Sequence, residues 1–228
     1  MNGLLLRRVY RFDTISMPKS RQPDGIFHNY LVFKRPFCDE FMQFCFERFE
    51  VGIWSSAMES VNQSLVLYSP WSINSLLDQK QCTDSGFKTL ENKGKPLLLK
   101  ELNKLWNNQH LSLPWRKGRY SASNTLLIDD TPYKALLNPP NTAIFSDTYE
   151  VEGTSDISLG AHGELRLYLE GLATADDVPS YVMEHPFGQP PITCVHPDWD
   201  FYLDIIQYLN AGSADRGEHS SKDDRLDY

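Results

Sequence analysis

The sequence predicts an α/β fold built on a parallel sheet covered by helices on both faces. Three observations predict it. Short apolar runs alternate with helix-spaced segments along the chain, the order from which parallel sheets are assembled. Two of the runs end in polar clusters, Ser55-Ser56 and Asp129-Asp130, and ligands in such sheets bind at the carboxyl ends of strands. The 228 residues are 41% hydrophobic and 12% aromatic, which supplies a core and argues against a disordered chain.

Taken in order, "NYLVFKRPF" predicts a short strand over 30–33, followed by Pro36 at a first helical position. Phe37, Phe41, Phe44 and Cys45 then follow i, i+4, i+7, i+8, so a helix runs to Arg48. "FEVGIWSSA" predicts a second strand, 51–54, and a helix is expected over 58–67. Residues 68–94 are polar and weakly patterned and read as an irregular excursion. "PLLLKELNKLW" resumes helical spacing, "NTLLI" is the third strand, and 143–145 after Pro139-Pro140 is another. "GELRLYLEGLA", "VPSYVMEHPF" and "HPDWDFYLDIIQYLN" predict three closing helices. One domain over 1–210 results, followed by a charged tail, 211–228, with few apolar residues and an expectation of disorder. No internal repeat is visible.

The 22 basic and 30 acidic residues give a net charge of -8, which disfavours direct nucleic-acid binding. No run reaches the ~18 apolar residues of a membrane span, and "MNGLLLRRVYRFD" lacks the pattern of a signal or transit peptide. Cys38, Cys45, Cys82 and Cys194 have no metal-ligand spacing and read as buried free thiols in a reducing compartment. The six histidines share no pattern either.

The paired acids need a neutralising partner. Two like charges a few ångströms apart repel by about 1 kcal/mol in water and about 4 kcal/mol at an effective dielectric of 20. Two readings of "DDTP" stand on local sequence. Asp130 or Thr131 caps the next helix with Pro132 at its first position, or the pair holds magnesium, which favours one or two carboxylates with a phosphate and waters. Ser55 at a strand end is either an N-cap or a hydroxyl for a phosphoryl oxygen. Lys100, alone, reads as a solvated helix lysine.

A strand-end hydroxyl, a lysine and a strand-end acid pair, in that order, resemble the haloacid dehalogenase superfamily. Within it the chain is similar to the carboxy-terminal-domain phosphatase-like (NLI-interacting factor) branch in a plant-like form, over 1–210. "FKRPFCDEFMQFCFERFEVGIWSSA" resembles the family's K-R-P stretch and hydroxyl motif, which places phosphate binding on Ser55. "LLLKELNKLW" resembles the segment of the phosphate-neutralising lysine, Lys100, and "LLIDDTPYKALLNPPNTAIF" the last motif, with Asp129 and Asp130 at a magnesium ion.

The resemblance also implies a first strand ending in D-x-D-x-T or a relative. The first Asp attacks phosphorus and the second is general acid and base. "MNGLLLRRVYRF" resembles the tail of an L-D-x-N-G-L-L version, with Met1 at the x position and Asn2 at a degenerate acid/base position. The nucleophile then falls before Met1, the first strand is largely missing, and the chain is expected to be a truncated, catalytically impaired form. Nucleophile loss is expected to cost on the order of a million-fold. Asn2 cannot shuttle a proton as a carboxylic acid does, and Asp13, beyond "LLLRRVYRF", is not at a strand end.

The partner implied is a phosphorylated or extended protein segment, with Trp54, Trp71, Trp106 and Trp115 as core packing or as the lining of a peptide groove. A nuclear or cytoplasmic phosphoserine/phosphothreonine phosphatase-like domain is the first expectation. The alternative is a non-enzymatic binding module similar to the mitochondrial inner-membrane import receptor subunit, for which the acidic charge suits a basic presequence.

Overall fold

The computed structural model describes residues 1–57, 75–108, 115–152 and 156–219. It is a mixed α/β structure in which two pairs of parallel strands carry the polar strand ends, and antiparallel pairs lie beside them. Strand β1 (Leu6–Tyr10) pairs with β3 (Tyr30–Lys34), and β3 with β2 (Gly25–Phe27), all antiparallel, with Tyr10 opposite Tyr30. The β2–β3 turn closes through His28, which takes the left-handed region at φ 46. Helix α1 (Cys38–Arg48) follows. Asp39 and Glu40 in its first turn and Arg48 in its last complement the helix dipole. Its buried residues, Cys38, Phe41, Met42, Phe44 and Cys45, recur at the three- and four-residue spacing of one helix face.

Strands β4 (Gly52–Trp54) and β5 (Ser75–Leu77) are parallel, with Ile53 opposite Leu76. Strand β6 (Thr83–Lys88) pairs antiparallel with β7 (Pro96–Leu99), which leads into a short helix α2 (Leu102–Trp106). Strands β8 (Leu127–Asp129) and β9 (Ala143–Phe145) are parallel, with Asp129 opposite Phe145. Three helices close the described chain: α3 (Glu164–Leu172), α4 (Val178–Glu184) and α5 (Trp199–His219).

The core has two main parts. In one, α1 and α3 pack through Phe41, Phe44, Leu165 and Leu169 around Ile144 of β9. In the other, Tyr202 and Ile205 of α5 lie against Leu97 and Leu99 of β7 and Tyr133. Leu97, Leu99 and Ile205 are fully buried, and each such side chain contributes about 1.5–3 kcal/mol by leaving water. Helices therefore pack on β9 in one part of the core and on β7 in the other. No helix of the described residues is long and apolar enough to cross a membrane.

The predicted strands over 30–33, 51–54, "NTLLI" and 143–145 all exist, as do the helix ending at Arg48 and the three closing helices. Several expectations are corrected. The strand at 30–33 is antiparallel, because β1 reaches back to it in a hairpin-like sheet; "LLLRRVY" is thus the partner of β3. The first helix begins at Cys38, since Pro36-Phe37 form a turn with Phe37 at φ 62. The excursion over 68–94 contains β5 and β6. "PLLLKELNKLW" is half strand: Leu97, Leu98 and Leu99 are all buried, and an apolar run buried on both faces has no periodicity to separate strand from helix. The last helix continues to His219. Cys38, Cys45 and Cys82 are buried free thiols, whereas Cys194 is exposed. Trp54 and Trp106 are core residues, and Trp115 stacks edge-on against Tyr120, so these three do not line a groove. The predicted helix over 58–67 and Trp71 lie outside the described residues.

Candidate functional site

Three strand ends meet at one ammonium group. Lys100, the residue after β7, donates from Nζ to the Trp54 carbonyl at the end of β4 at 2.6 Å. It also donates to Asp129 Oδ2 at the end of β8 at 2.6 Å. Lys100 is therefore not a solvated helix lysine: its side chain and that of Asp129 are each only 4% exposed. It sits between strands because the Leu97–Leu99 run buries β7 and its end faces inward.

Asp129 is saturated. Its other oxygen, Oδ1, accepts from the backbone N–H of Asp130 at 2.9 Å and of Thr131 at 3.1 Å, and from Lys134 Nζ at 2.8 Å. Thr131 does hold the N-cap position of the 3₁₀ turn Pro132–Ala135, with Pro132 first in it, but makes no side-chain cap bond; Asp129 bonds the N–H groups that lead into the turn. Burial alone would raise the Asp129 carboxyl; Lys100 and Lys134 outweigh that and hold it well below the usual carboxylate range. Burial alone would likewise lower Lys134, and Asp129 and Asp130 push it above the ordinary lysine value.

Asp130 lies at the rim. Lys134 Nζ is 3.5 Å from its Oδ1, and the hydroxyls of Thr131 and Thr148 donate to Oδ1 and Oδ2, each at 3.2 Å. Gln189 Nε2 donates to the Asp130 carbonyl at 3.1 Å and the Ser146 carbonyl at 2.8 Å, tying this turn to the chain after α4. Gly3 packs against the same carboxylate. It has φ 83, and a Cβ there would fall 1.8 Å from Asp130 Oδ2.

Ser55 follows Trp54 and is buried, with its N–H on the Leu77 carbonyl and its Oγ accepting from Ala57 N at 3.2 Å. Its hydroxyl proton is left to donate. Residues 55, 100, 129 and 130 are thus brought to one region by β4, β7 and β8. Asn2 is placed differently: its Oδ1 accepts from Arg8 N at 2.8 Å, so its side chain is occupied in the turn that precedes β1. The Met1 amino group, in contrast, is buried in the site; burial first and the Lys100 charge second lower it to about 5.

Sequence reasoning missed Lys134, Thr148, Gly3 and Gln189. Lys134 had a signal, since "DDTPYK" returns a cation after one tight turn. Gln189 had none, because its partner carbonyls are far away in sequence.

The partner of the paired acids is therefore two lysines. An attraction a few ångströms long at an effective dielectric of 20 is worth about 4 kcal/mol, the same scale as the repulsion between the two acids. Two such attractions on Asp129 and a third on Asp130 decide the balance. For magnesium this matters. Both Asp129 oxygens already accept from lysines, and Asp130 is shared among three donors. Asp130, at the rim, is the acid less enclosed by the two lysines.

The family model described as NLI interacting factor-like phosphatase matches residues 4–179. No curated protein matches the chain in sequence. Among solved structures it is similar to fission yeast RNA polymerase II CTD phosphatase Fcp1 bound to beryllium fluoride, at 13% identity and a TM-score of 0.42. That match covers 100% of this chain and 66% of that one, so this chain spans just under two thirds of its length.

Proposed function

The chain belongs to the NLI interacting factor-like phosphatase family, and from that premise we propose that its strand-end site takes the phosphoryl group of a phosphoserine or phosphothreonine in a protein segment. The observation that carries this reading is the Lys100 ammonium shared between Trp54 O and Asp129. A lysine has three N–H donors, so one remains for a phosphoryl oxygen. The free hydroxyl proton of Ser55, one residue from the same carbonyl, supplies a second donor. Asp129 is a positioning residue: it holds Lys100 and Lys134 charged and in place.

Residues 1–228 bind the phosphoryl group without cleaving it. Asp129 is held by both lysines and Asp130 accepts from two hydroxyls beside Lys134, so among the described residues neither strand-end carboxylate is free to attack phosphorus. An Asp placed before Met1 would supply one. The test compares residues 1–228 with a version carrying Asp before Met1, using a chromogenic phosphate ester with magnesium in the buffer. No turnover by the first and measurable turnover by the second, lost in Lys100→Ala, is expected. Robust turnover by residues 1–228 overturns the inactivity. Absence of both turnover and phosphate binding in either form overturns the site.

A further inference from the structure

Asp130 lines a cavity of about 540 Å³, within the size range of ligand sites. Thr131 lines it too, so the cavity begins one residue along the chain from Asp129 of the phosphate site. Its floor includes the rings of Tyr133 and Tyr202, both nearly fully buried. Glu91, from the turn between β6 and β7, and Asp198, ahead of α5, line it and are exposed. Both act electrostatically on the Tyr202 hydroxyl. Among the described residues, Lys95 and His196 line the cavity together with three carboxylates, Glu91, Asp130 and Asp198. The walls are preformed: Thr89 and Asn92 bond one another across the β6–β7 turn, and Gln189 fixes the opposite wall through two carbonyls.

We infer that this cavity holds the chain flanking the phosphorylated residue and selects a basic side chain there, arginine before lysine. Aromatic floor and acidic wall are what a guanidinium uses, because its plane stacks on a ring while its edge donates to carboxylates. The alkyl stem lies over the same rings. Asp130 is already paired with Lys134, which leaves Glu91 and Asp198 as the carboxylates facing the incoming cation. An extended segment entering from the phosphate site passes Asp130 first and reaches these two afterwards. The inference rests on Lys100 holding the phosphoryl group, and the experiment separates the two.

Fluorescence anisotropy on residues 1–228 would use phosphoserine peptides with Arg, Lys, Ala or Glu placed two to four residues from the phosphoserine, together with the unphosphorylated Arg peptide. The Arg phosphopeptide is expected to bind roughly fivefold more tightly than the Ala one, with Lys between them and Glu weakest. The double variant Glu91→Gln, Asp198→Asn should bring Arg and Ala within roughly twofold, while competition by inorganic phosphate stays unchanged. Both positions are exposed, so the variant keeps the core intact. Phosphate-dependent binding that ignores the flanking charge, or a preference that survives the double variant, overturns the inference and leaves the phosphate site standing. Equal binding of both Arg peptides, lost in the double variant, keeps the cavity and overturns the phosphate site. Binding of no peptide overturns both.

Discussion

Lys100 Nζ lies 2.6 Å from Asp129 Oδ2, and both side chains are 4% exposed, so one buried ion pair joins the end of β7 to the end of β8. Through its second bond, to the Trp54 carbonyl, the same ammonium reaches the end of β4. The site is therefore part of the fold's own framework, and changes to it are read in stability as well as in binding.

Removing the cation while keeping the anion strands a charge. Lys100→Met should destabilise the protein by on the order of 3 kcal/mol, because Asp129 stays buried with only Lys134 to offset it. Adding Asp129→Asn to Lys100→Met should recover part of that loss. Urea denaturation of the two variants checks this; a double variant no more stable than Lys100→Met contradicts it.

The two pKa shifts bound the pH range of stability from opposite sides. The Asp129 carboxyl is held below its unfolded value, so its contribution is present above about pH 4 and is lost as pH falls toward the depressed folded value. Lys134 is raised, so its contribution is complete below about pH 10 and is lost as pH climbs through the higher folded value. Urea midpoints should decline as pH falls from about 8 toward 5, where the buried Met1 amino group resists protonation, and Asp129→Asn should flatten the further acid limb below about pH 4. An acid limb unchanged by that substitution would contradict the assignment.

Gly3 has no room for a side chain. With φ 83 and Asp130 Oδ2 1.8 Å from an added Cβ, Gly3→Ala must displace either the turn or the carboxylate. A loss of about 1–3 kcal/mol in a thermal melt is expected, with weakened phosphate binding, because Asp130 moves. Gly25→Ala, where nothing lies within 4 Å, is the control.

Gln189 Nε2 joins the Asp130 and Ser146 carbonyls, reinforcing the Ser146 N–H bond to the Asp129 carbonyl. Gln189→Leu keeps the bulk and removes both bonds, and should cost about 1–3 kcal/mol. Faster hydrogen exchange is expected in the segment around Asp130 and Ser146. Unchanged exchange there would show that the tether is idle.

Thiol reactivity follows burial. Burial pushes Cys38 and Cys45 up to about 12 and also raises Cys82, so none of the three offers thiolate near neutral pH. Of the four thiols, exposed Cys194 alone should react promptly with a chromogenic disulfide, and the rest after denaturant.

The local signals were legible where one short segment carried its own pattern. Helix α1 announced itself through Phe41, Phe44 and Cys45 on one face, and β9 through three apolar residues after two prolines. Ser55, Asp129 and Asp130 could be picked out because each stands at the end of an apolar run, whereas Lys100 was assigned only through the family resemblance. The Leu97–Leu99 run misled because burial on both faces erases the alternation that marks a strand. The direction of β3 was hidden as well, since its partner β1 is chosen by pairing across the intervening β2 segment.

By itself, the amino-acid order determined which groups are available: a hydroxyl, a lysine and two adjacent acids at strand ends, in a chain with enough apolar residues to bury them. Only the tertiary structure decided what each one faces. Lys134 and Lys100 converge on Asp129 from opposite sides, and Gln189 and Gly3 hold Asp130 from segments far removed in sequence. The reason is electrostatic. In a dry strand-end pocket a charge is governed by whatever lies within a few ångströms, and those neighbours are chosen by how the strands and helices pack.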